Sequence, residues 1–479
     1  MFIRLHYALL ASLVCYGSLA VGNERPNILF ISADDLNDVP TFMGTYEGAI
    51  TPNMDRLAAS GVAFLNAHVQ YPICGPSRAS IMSGILPTTL GYATHPNDNA
   101  VQERAQELGG DTIPNYFKQS GYKVMGVGKL FHKHLPEGTF TESGTRGGGF
   151  GGFGGSYSKH KRNYPYPGTG TDWGVTDTPD KPMPDEKNAD WVIQRLQQQH
   201  DAPFLLMLGL LRPHVPWIVR QEYFDRYPEP EKIQMMPYKA DDLDDVPEIS
   251  RRLNIHSAMP QTDWLIRTGK WNFMMHAYLA STTFIDDQIG RVLDALEASP
   301  YANNTIVVFW SDHGYHLGEK GTTQKHSLWQ RSSRVPFIIA GPGIKPALSK
   351  RAVGLIDLFP TLVELCGIEP LDAWEGRSLV PLLEDPDKPW DHPVITSWAG
   401  SNYAVQTERY RYIRYTDGSE ELYDHEKDPH EWKNLSALSE YDSLKQTLSK
   451  GIPTVDNSSP THVKSMIGSI NRYRDRVLE

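Results

Sequence analysis

The chain has 479 residues, 40% of them hydrophobic, enough for one large α/β domain with an appendage or for two domains of ordinary size. Its 46 Lys and Arg against 57 Asp and Glu leave a formal charge of −11, which argues against a general nucleic-acid binder. Residues 1–22 read as a leader separate from the fold. Met1-Phe2-Ile3-Arg4 is a positive start, Ala8 to Leu19 a short apolar stretch, and Ser18-Leu19-Ala20 suits signal-peptidase cleavage. The apolar run is too short to span a bilayer. The expectation is an exported protein, periplasmic or secreted, without a transmembrane segment. Cys15 follows Val14, a bulky residue where a lipid-anchor motif wants a small one, so cleavage is favoured over a lipoprotein anchor. Only Cys74 and Cys366 remain after cleavage, and stability must rest on the core rather than on bridges.

Four apolar runs end abruptly in polar residues. Asn27 to Ala33 meets Asp34-Asp35, and Lys123 to Gly128 meets Lys129 and His132. Phe204 to Leu210 leads to Arg212-Pro213-His214, and Thr305 to Trp310 runs into Ser311-Asp312-His313. Continuous apolar runs of this length fit strands buried on both faces of a parallel sheet. Groups at the carboxyl ends of such strands converge on the edge where open α/β sheets bind ligands. Between them lie helical patterns at Asn53 to Ala59, Ile113 to Ser120 and Met274 to Leu296. The last carries an apolar stripe of Tyr278, Phe284, Ile285, Ile289, Val292, Leu293 and Leu296, with Asp286-Asp287 expected on its solvated face. Thr145 to Ser156 is glycine-rich without a strand–helix phosphate-loop pattern, and residues 157–190 read as a polar, Pro-rich surface wrap. Within this insertion-like stretch (141–190), Lys159, Lys161 and Arg162 form a basic cluster.

Near residue 375 the texture changes. Val394 to Trp398, Tyr403 to Gln406 and Tyr410 to Tyr415 predict consecutive antiparallel strands. The expected division is a catalytic α/β domain over 23–375 and a smaller α+β subdomain over 376–479.

The most informative segment is Cys74-Gly75-Pro76-Ser77-Arg78. A cysteine four residues before an arginine, with proline near a helical start, puts thiol and guanidinium on one face of a first turn. Helix start and arginine together suit an anion. Asp34-Asp35 and Asp312-His313 are metal candidates. Their three carboxylates suit a hard cation such as Ca²⁺ or Mg²⁺, while His313 leans toward softer metals.

The Cys-x-Pro-Ser-Arg segment resembles the signature of the type I sulfatases, in which that cysteine is oxidised to formylglycine. Gly128-Lys129-Leu130-Phe131-His132, Arg212-Pro213-His214-Val215-Pro216 and Ser311-Asp312-His313-Gly314 with Lys325 resemble, in order, motifs of the iduronate-2-sulfatase branch. The resemblance runs from about Arg25 to Asn434. It implies an alkaline-phosphatase-like sulfatase fold, with a large mostly parallel sheet flanked by helices and a small C-terminal antiparallel sheet. It implies sulfate-ester hydrolysis with a Ca²⁺ ion (Mg²⁺ possible) held by Asp34, Asp35, Asp312, His313 and residue 74. Maturation of Cys74 by a formylglycine-generating enzyme is implied too. In the implied chemistry, a hydrated aldehyde at Cys74 attacks sulfur. Arg78 and Lys129 hold it, Lys325 clamps the sulfate, His214 protonates the leaving group, and His132 is the base that completes the cycle. Arg212 is a further cation expected at the cleft.

The expected substrate is a sulfated oligo- or polysaccharide: a 2-O-sulfated uronate of glycosaminoglycan or ulvan, or an algal polysaccharide such as carrageenan. Choline or aryl sulfates are alternatives. Rival readings are a phosphatase or phosphonate monoester hydrolase of the same superfamily and a non-catalytic carbohydrate binder.

Overall fold

A computed structural model of the chain describes residues 25–145, 163–454 and 456–472. The segment read as a leader, all but the first residue of the glycine-rich stretch, and Lys159, Lys161 and Arg162 lie outside the described residues.

The strands are, in chain order, β1 (Asn27–Asp34), β2 (Gly61–His68), β3 (Lys123–Gly128), β4 (Glu142–Ser143), β5 (Trp173–Val175), β6 (Phe204–Pro213), β7 (Trp217–Val219), β8 (Thr305–Ser311), β9 (Arg334–Val335), β10 (Phe337–Ala340) and β11 (Ala347–Gly354). Among the described residues, nine of them form one sheet in the order β11-β2-β10-β8-β1-β6-β3-β4, with β9 beside β2. The inner strands β8, β1, β6 and β3 run parallel, and β10 is an antiparallel insert between β2 and β8. The four apolar runs are these inner strands, and every residue of β1 and β6 is buried. Alternation across the sheet divides the core in two. Leu29, Ile31, Leu206 and Leu208 join one cluster with the helix Trp271–Glu297. Ile28, Phe30, Leu205 and Met207 join a second on the opposite face.

The helices Pro52–Ala58, Ile113–Gln119 and Trp271–Glu297 lie where periodicity placed them. Two details differ. Asp286 is not on a solvated face: it is buried, and its carboxylate accepts the N–H groups of Asn53 (3.0 Å) and Met54 (2.8 Å) at the start of helix Pro52–Ala58. The described part of 157–190 is a surface wrap only in part, with 165–168 and 179–182 exposed and other positions anchored in the core. Trp173 is buried in β5, which pairs in parallel with β7, and the helix Pro184–Leu196 packs against the sheet.

Beyond residue 375, β12 (Val394–Trp398), β13 (Asn402–Gln406), β14 (Tyr410–Arg414) and β15 (Glu420–Asp424) form an antiparallel meander. Its inner face shares a core with Tyr71, Ile73, Leu328 and Trp329. The small sheet therefore buttresses the segments that flank Cys74 and Lys325. Among the described residues, no helix is long and apolar enough to cross a membrane.

Candidate active site

The site forms where the inner strands end. Asp34 is the last residue of β1, and Asp35 turns away from it with φ 63°. Successive side chains of a strand point to opposite faces. Leaving the extended conformation lets both carboxylates serve one site, and aspartate is among the few non-glycine residues that tolerate this backbone. β3 ends at Gly128, whose φ of 81° and close approach to β6 exclude a side chain: a Cβ there would lie 2.0 Å from the Gly209 carbonyl oxygen. That tight crossing sends Lys129 into the site, its own N–H donating to the Gly209 carbonyl at 2.9 Å. β6 delivers His214, and β8 delivers Asp312 and His313.

Cys74 opens the helix Cys74–Ser83, each residue of which is buried. Ile73 is extended immediately before it, so the chain enters the helix abruptly and the positive end of the helix faces the strand ends. The thiol Sγ lies 3.6 Å from Asp34 Oδ1 and 3.2 Å from His313 Nε2, and accepts from Lys325 Nζ at 3.1 Å. Lys325 also donates to Asp35 Oδ1 at 2.7 Å, and Lys129 Nζ bonds Asp34. Arg78 is 1% exposed and stitches three strand ends together. It donates to Asp312 Oδ2 at 2.8 Å and to the carbonyls of Lys129, Leu130 (3.1 Å) and Ala33 (3.3 Å).

The charges balance one another in a buried space. Burial alone would raise the Asp34 carboxyl, but Lys129, His214 and Arg78 together hold it well below the usual carboxylate range. Asp35 is lowered likewise: burial opposes, while His214, Lys325 and His313 prevail. Burial works against the Lys325 ammonium, yet Asp35 and the Cys74 side chain push it well above an ordinary lysine. His313 is lowered by burial, against the pull of Asp312. Its Nδ1 faces the Gly314 carbonyl at 3.0 Å, so that nitrogen carries the proton and the Nε2 lone pair is turned to the carboxylates.

These residues fit a divalent cation. Asp34, Cys74, Asp312 and His313 bring ligand atoms within 4.8 Å of one another, as do Asp34, Asp35, Cys74 and His214. Asp35 Oδ2 is buried without a hydrogen-bond partner. An orphaned carboxylate oxygen beside a lone-pair nitrogen is a donor set of the kind a hard or borderline cation satisfies.

His214 lies on the outer side, its Nδ1 2.7 Å from the Val215 carbonyl and its Nε2 3.9 Å from Asp35 Oδ2. His132 is buried with its ring flat against His95, and burial first, then His95 and Lys129, depress it far below an ordinary imidazole. Arg212, expected at the cleft, makes main-chain contacts beside His214. Its guanidinium donates to the main-chain carbonyls of His214 (3.3 Å) and Ile218 (3.2 Å), bracing the turn that carries His214.

Supporting residues escaped the sequence reading. Asp185 accepts the N–H groups of Leu211 (2.8 Å) and Arg212 (3.0 Å) ahead of His214, and Asp98 accepts three consecutive N–H groups from His132 onward. Lone acidic residues at the starts of distant helices carry no local mark of such contacts.

Comparison with known proteins gives the family of the chain. The sulfatase family profile matches residues 26–368, and a second, "N-sulphoglucosamine sulphohydrolase, C-terminal", matches 318–458. The chain belongs to the sulfatase family. It is 44% identical over 453 residues to a sulfatase of Formosa agariphila, covering 91% of this chain and 89% of that one. It is 30% identical over 407 residues to human iduronate 2-sulfatase, covering 78% and 72%. The fold superposes on the phosphonate monoester hydrolase of Agrobacterium radiobacter with a TM-score of 0.73 at 20% identity, covering 92% and 96%. As a sulfatase with the alkaline-phosphatase-like fold, the protein is a hydrolase of sulfate esters, and the non-catalytic reading falls away.

Proposed function

We propose that the protein is an exported sulfatase that releases sulfate from a sulfated saccharide, through a formylglycine at position 74 and one divalent cation. The substrate class is a 2-O-sulfated uronate of glycosaminoglycan or ulvan, or an algal polysaccharide such as carrageenan. The observation that carries this reading is the meeting of Cys74 with Asp34, His313 and Lys325 at one buried helix start. Likeness to an iduronate 2-sulfatase supports the uronate.

A sulfate monoester presents oxygens that repel a nucleophile, and its alkoxide leaves poorly without a proton. Ca²⁺ or Mg²⁺ held by Asp34, Asp35, Asp312 and His313 would polarise the sulfate oxygens. A hydrated aldehyde at position 74 would supply one hydroxyl to attack sulfur and a second whose deprotonation expels sulfate. Lys325 and Lys129 offset negative charge around residue 74, and Arg78 locks the strand ends that carry Asp34 and Asp312. His214, on the outer side, gives a proton to the leaving oxygen. His132 takes one from residue 74. Residues 23–375 serve as the catalytic unit, and 376–479 as the smaller subdomain behind it.

Turnover of defined sulfated oligosaccharides, beside aryl and choline sulfates and phosphate and phosphonate esters of matched leaving group, tests this. Metal-dependent sulfate release, fastest on a sulfated uronate or algal oligosaccharide, is the expected result. Faster turnover of phosphonate or phosphate esters would replace it with the phosphonate hydrolase reading.

A further inference from the structure

The segment Ala93 to Asn99 has no role in the chemistry so far, yet it touches the candidate base on two sides. The His95 ring lies on the His132 ring with centroids 3.7 Å apart and planes 6° from parallel. His95 also meets the helix that carries Cys74: a Cβ on Gly75 would lie 2.6 Å from His95 Nδ1. His95 thus fills the space between the residue that follows the nucleophile and the residue read as the base. Gly75 is the residue that leaves it room.

Asp98 holds the same target from the backbone side. It is 2% exposed, and its carboxylate accepts the N–H groups of His132 (3.1 Å), Lys133 (2.6 Å) and His134 (2.9 Å). Asp98 is the first residue of the helix Asp98–Glu107, a place where a carboxylate ordinarily serves its own helix. Here Asn97 caps that helix, its side chain accepting from Asn99 N, so the Asp98 carboxylate is left for another segment. Asn99 adds a third grip by accepting Glu137 N at 3.1 Å.

We propose that His95 and Asp98 are positioning residues that fix the ring plane and the backbone of His132 relative to residue 74. The inference rests on the reading of His132 as the base. A proton is moved efficiently only along a short, aligned path, and the imidazole torsion about Cβ–Cγ is broad. Nothing within His132 itself sets its plane. A flat neighbour on one face and three pinned amides behind it do.

Two measurements on the full chain test this. In the first, kcat and KM are determined for an aryl sulfate with His95→Ala, His95→Phe and Asp98→Asn. Misplacing a catalytic group by about 1 Å costs on the order of a hundredfold in rate, so His95→Ala should lower kcat by roughly ten- to a hundredfold with KM little changed. His95→Phe, whose flat ring still covers His132, should recover most of the loss, and Asp98→Asn should fall between. In the second, carbethoxylation of His132 by diethyl pyrocarbonate is followed by peptide mass in a Cys74→Ala background. His132 should react slowly there and markedly faster once His95→Ala is added. An unchanged kcat, a rise in KM at constant kcat, no recovery with phenylalanine, or equal carbethoxylation rates would each overturn the proposal. A wild-type enzyme that releases no sulfate would instead refute the functional reading, and the carbethoxylation rates would still judge His95.

Discussion

Asp35 shows how much chemistry one backbone angle controls. Its φ of 63° brings a second carboxylate beside Asp34, and its Oδ2 is left with no hydrogen bond from protein. Burying a charged oxygen without a partner is costly, and a cation is the partner the donor set suits. Asp35→Asn keeps a residue that tolerates this conformation while removing the charge, so it separates metal binding from backbone geometry. Wild type should gain thermal stability when Ca²⁺ or Mg²⁺ is added back after chelation, by about 2.7 kcal/mol at a free-ion concentration of roughly 100 Kd. Asp35→Asn should lose most of that increment. Equal increments in the two proteins, measured by thermal unfolding, would remove Asp35 from the ligand set. At Cys74 the prediction is chemical. Peptide mass of active enzyme should show the aldehyde at position 74, and Cys74→Ser should fold yet lose nearly all turnover, because a serine sulfate ester has no second hydroxyl on its carbon with which to expel sulfate. Full activity from enzyme carrying only the thiol would contradict the mechanism.

At the scale of elements, the site depends on contacts that tie neighbouring segments together rather than on any one helix or strand. Asp286 is an example. It sits in the middle of the helix Trp271–Glu297 and serves as the missing N-terminal partner of Pro52–Ala58, whose own Thr51 makes no capping bond. Asp286→Ala would orphan the buried N–H of Met54 and the part-buried N–H of Asn53, a cost of about 2–4 kcal/mol. Asp287, which pairs with Arg226 at 2.6 Å on a partly exposed surface, should cost only about 0–1 kcal/mol when changed to alanine. Urea unfolding of the two variants reads the difference, and equal losses would refute the capping role. These adjacent aspartates also mark where sequence reading stops. The stripe Tyr278 to Leu296 shows which side of the helix is apolar, but not that a carboxylate at its border meets another helix end. The inner strands were legible because burial on both faces leaves them uninterrupted. β2 was not, since Asn66 and His68 break its apolar run: Asn66 reaches the carbonyls of Lys350, Thr407 and Glu408, and His68 bonds Asn66 and Ser333. The chemical groups at strand ends could be found from pattern and resemblance. Their supports, His95, Asp98 and Asp185, could not, because each acts on a segment far away in the chain.

Over the whole molecule, burial creates two opposing sets of titrating groups, and their balance shapes stability against pH. Burial lowers His95 and His316 to about 3 and His256 to about 4. Below their unfolded value of about 6.5, the unfolded chain binds protons on these histidines that the native state refuses, so their contribution is complete above that pH and is lost as pH falls. Burial acts in the other direction on Asp185, Asp242, Asp286 and Asp357, each raised to about 6. Between about 6 and 4 the native state keeps protons that the unfolded chain releases, so these carboxyls return stability as pH falls. A third set, Asp34, Asp35, Asp38 and Glu431, is lowered by basic partners that outweigh burial, and its contribution disappears at still lower pH. His68, His132, His313 and His326 are lowered by burial as well. With chelator present to remove metal effects, the melting temperature should therefore drop from pH 7 to 6, fall less steeply from 6 to 4 where the raised carboxyls offset part of the loss, and collapse below 4. His256→Asn, whose amide oxygen can replace Nδ1 as the acceptor of Ala258 N, should shrink the first drop. A melting temperature that stays level from pH 7.5 to 5.5 in wild type, or an unchanged first drop in His256→Asn, would show that the buried histidines take up their protons without cost to the fold.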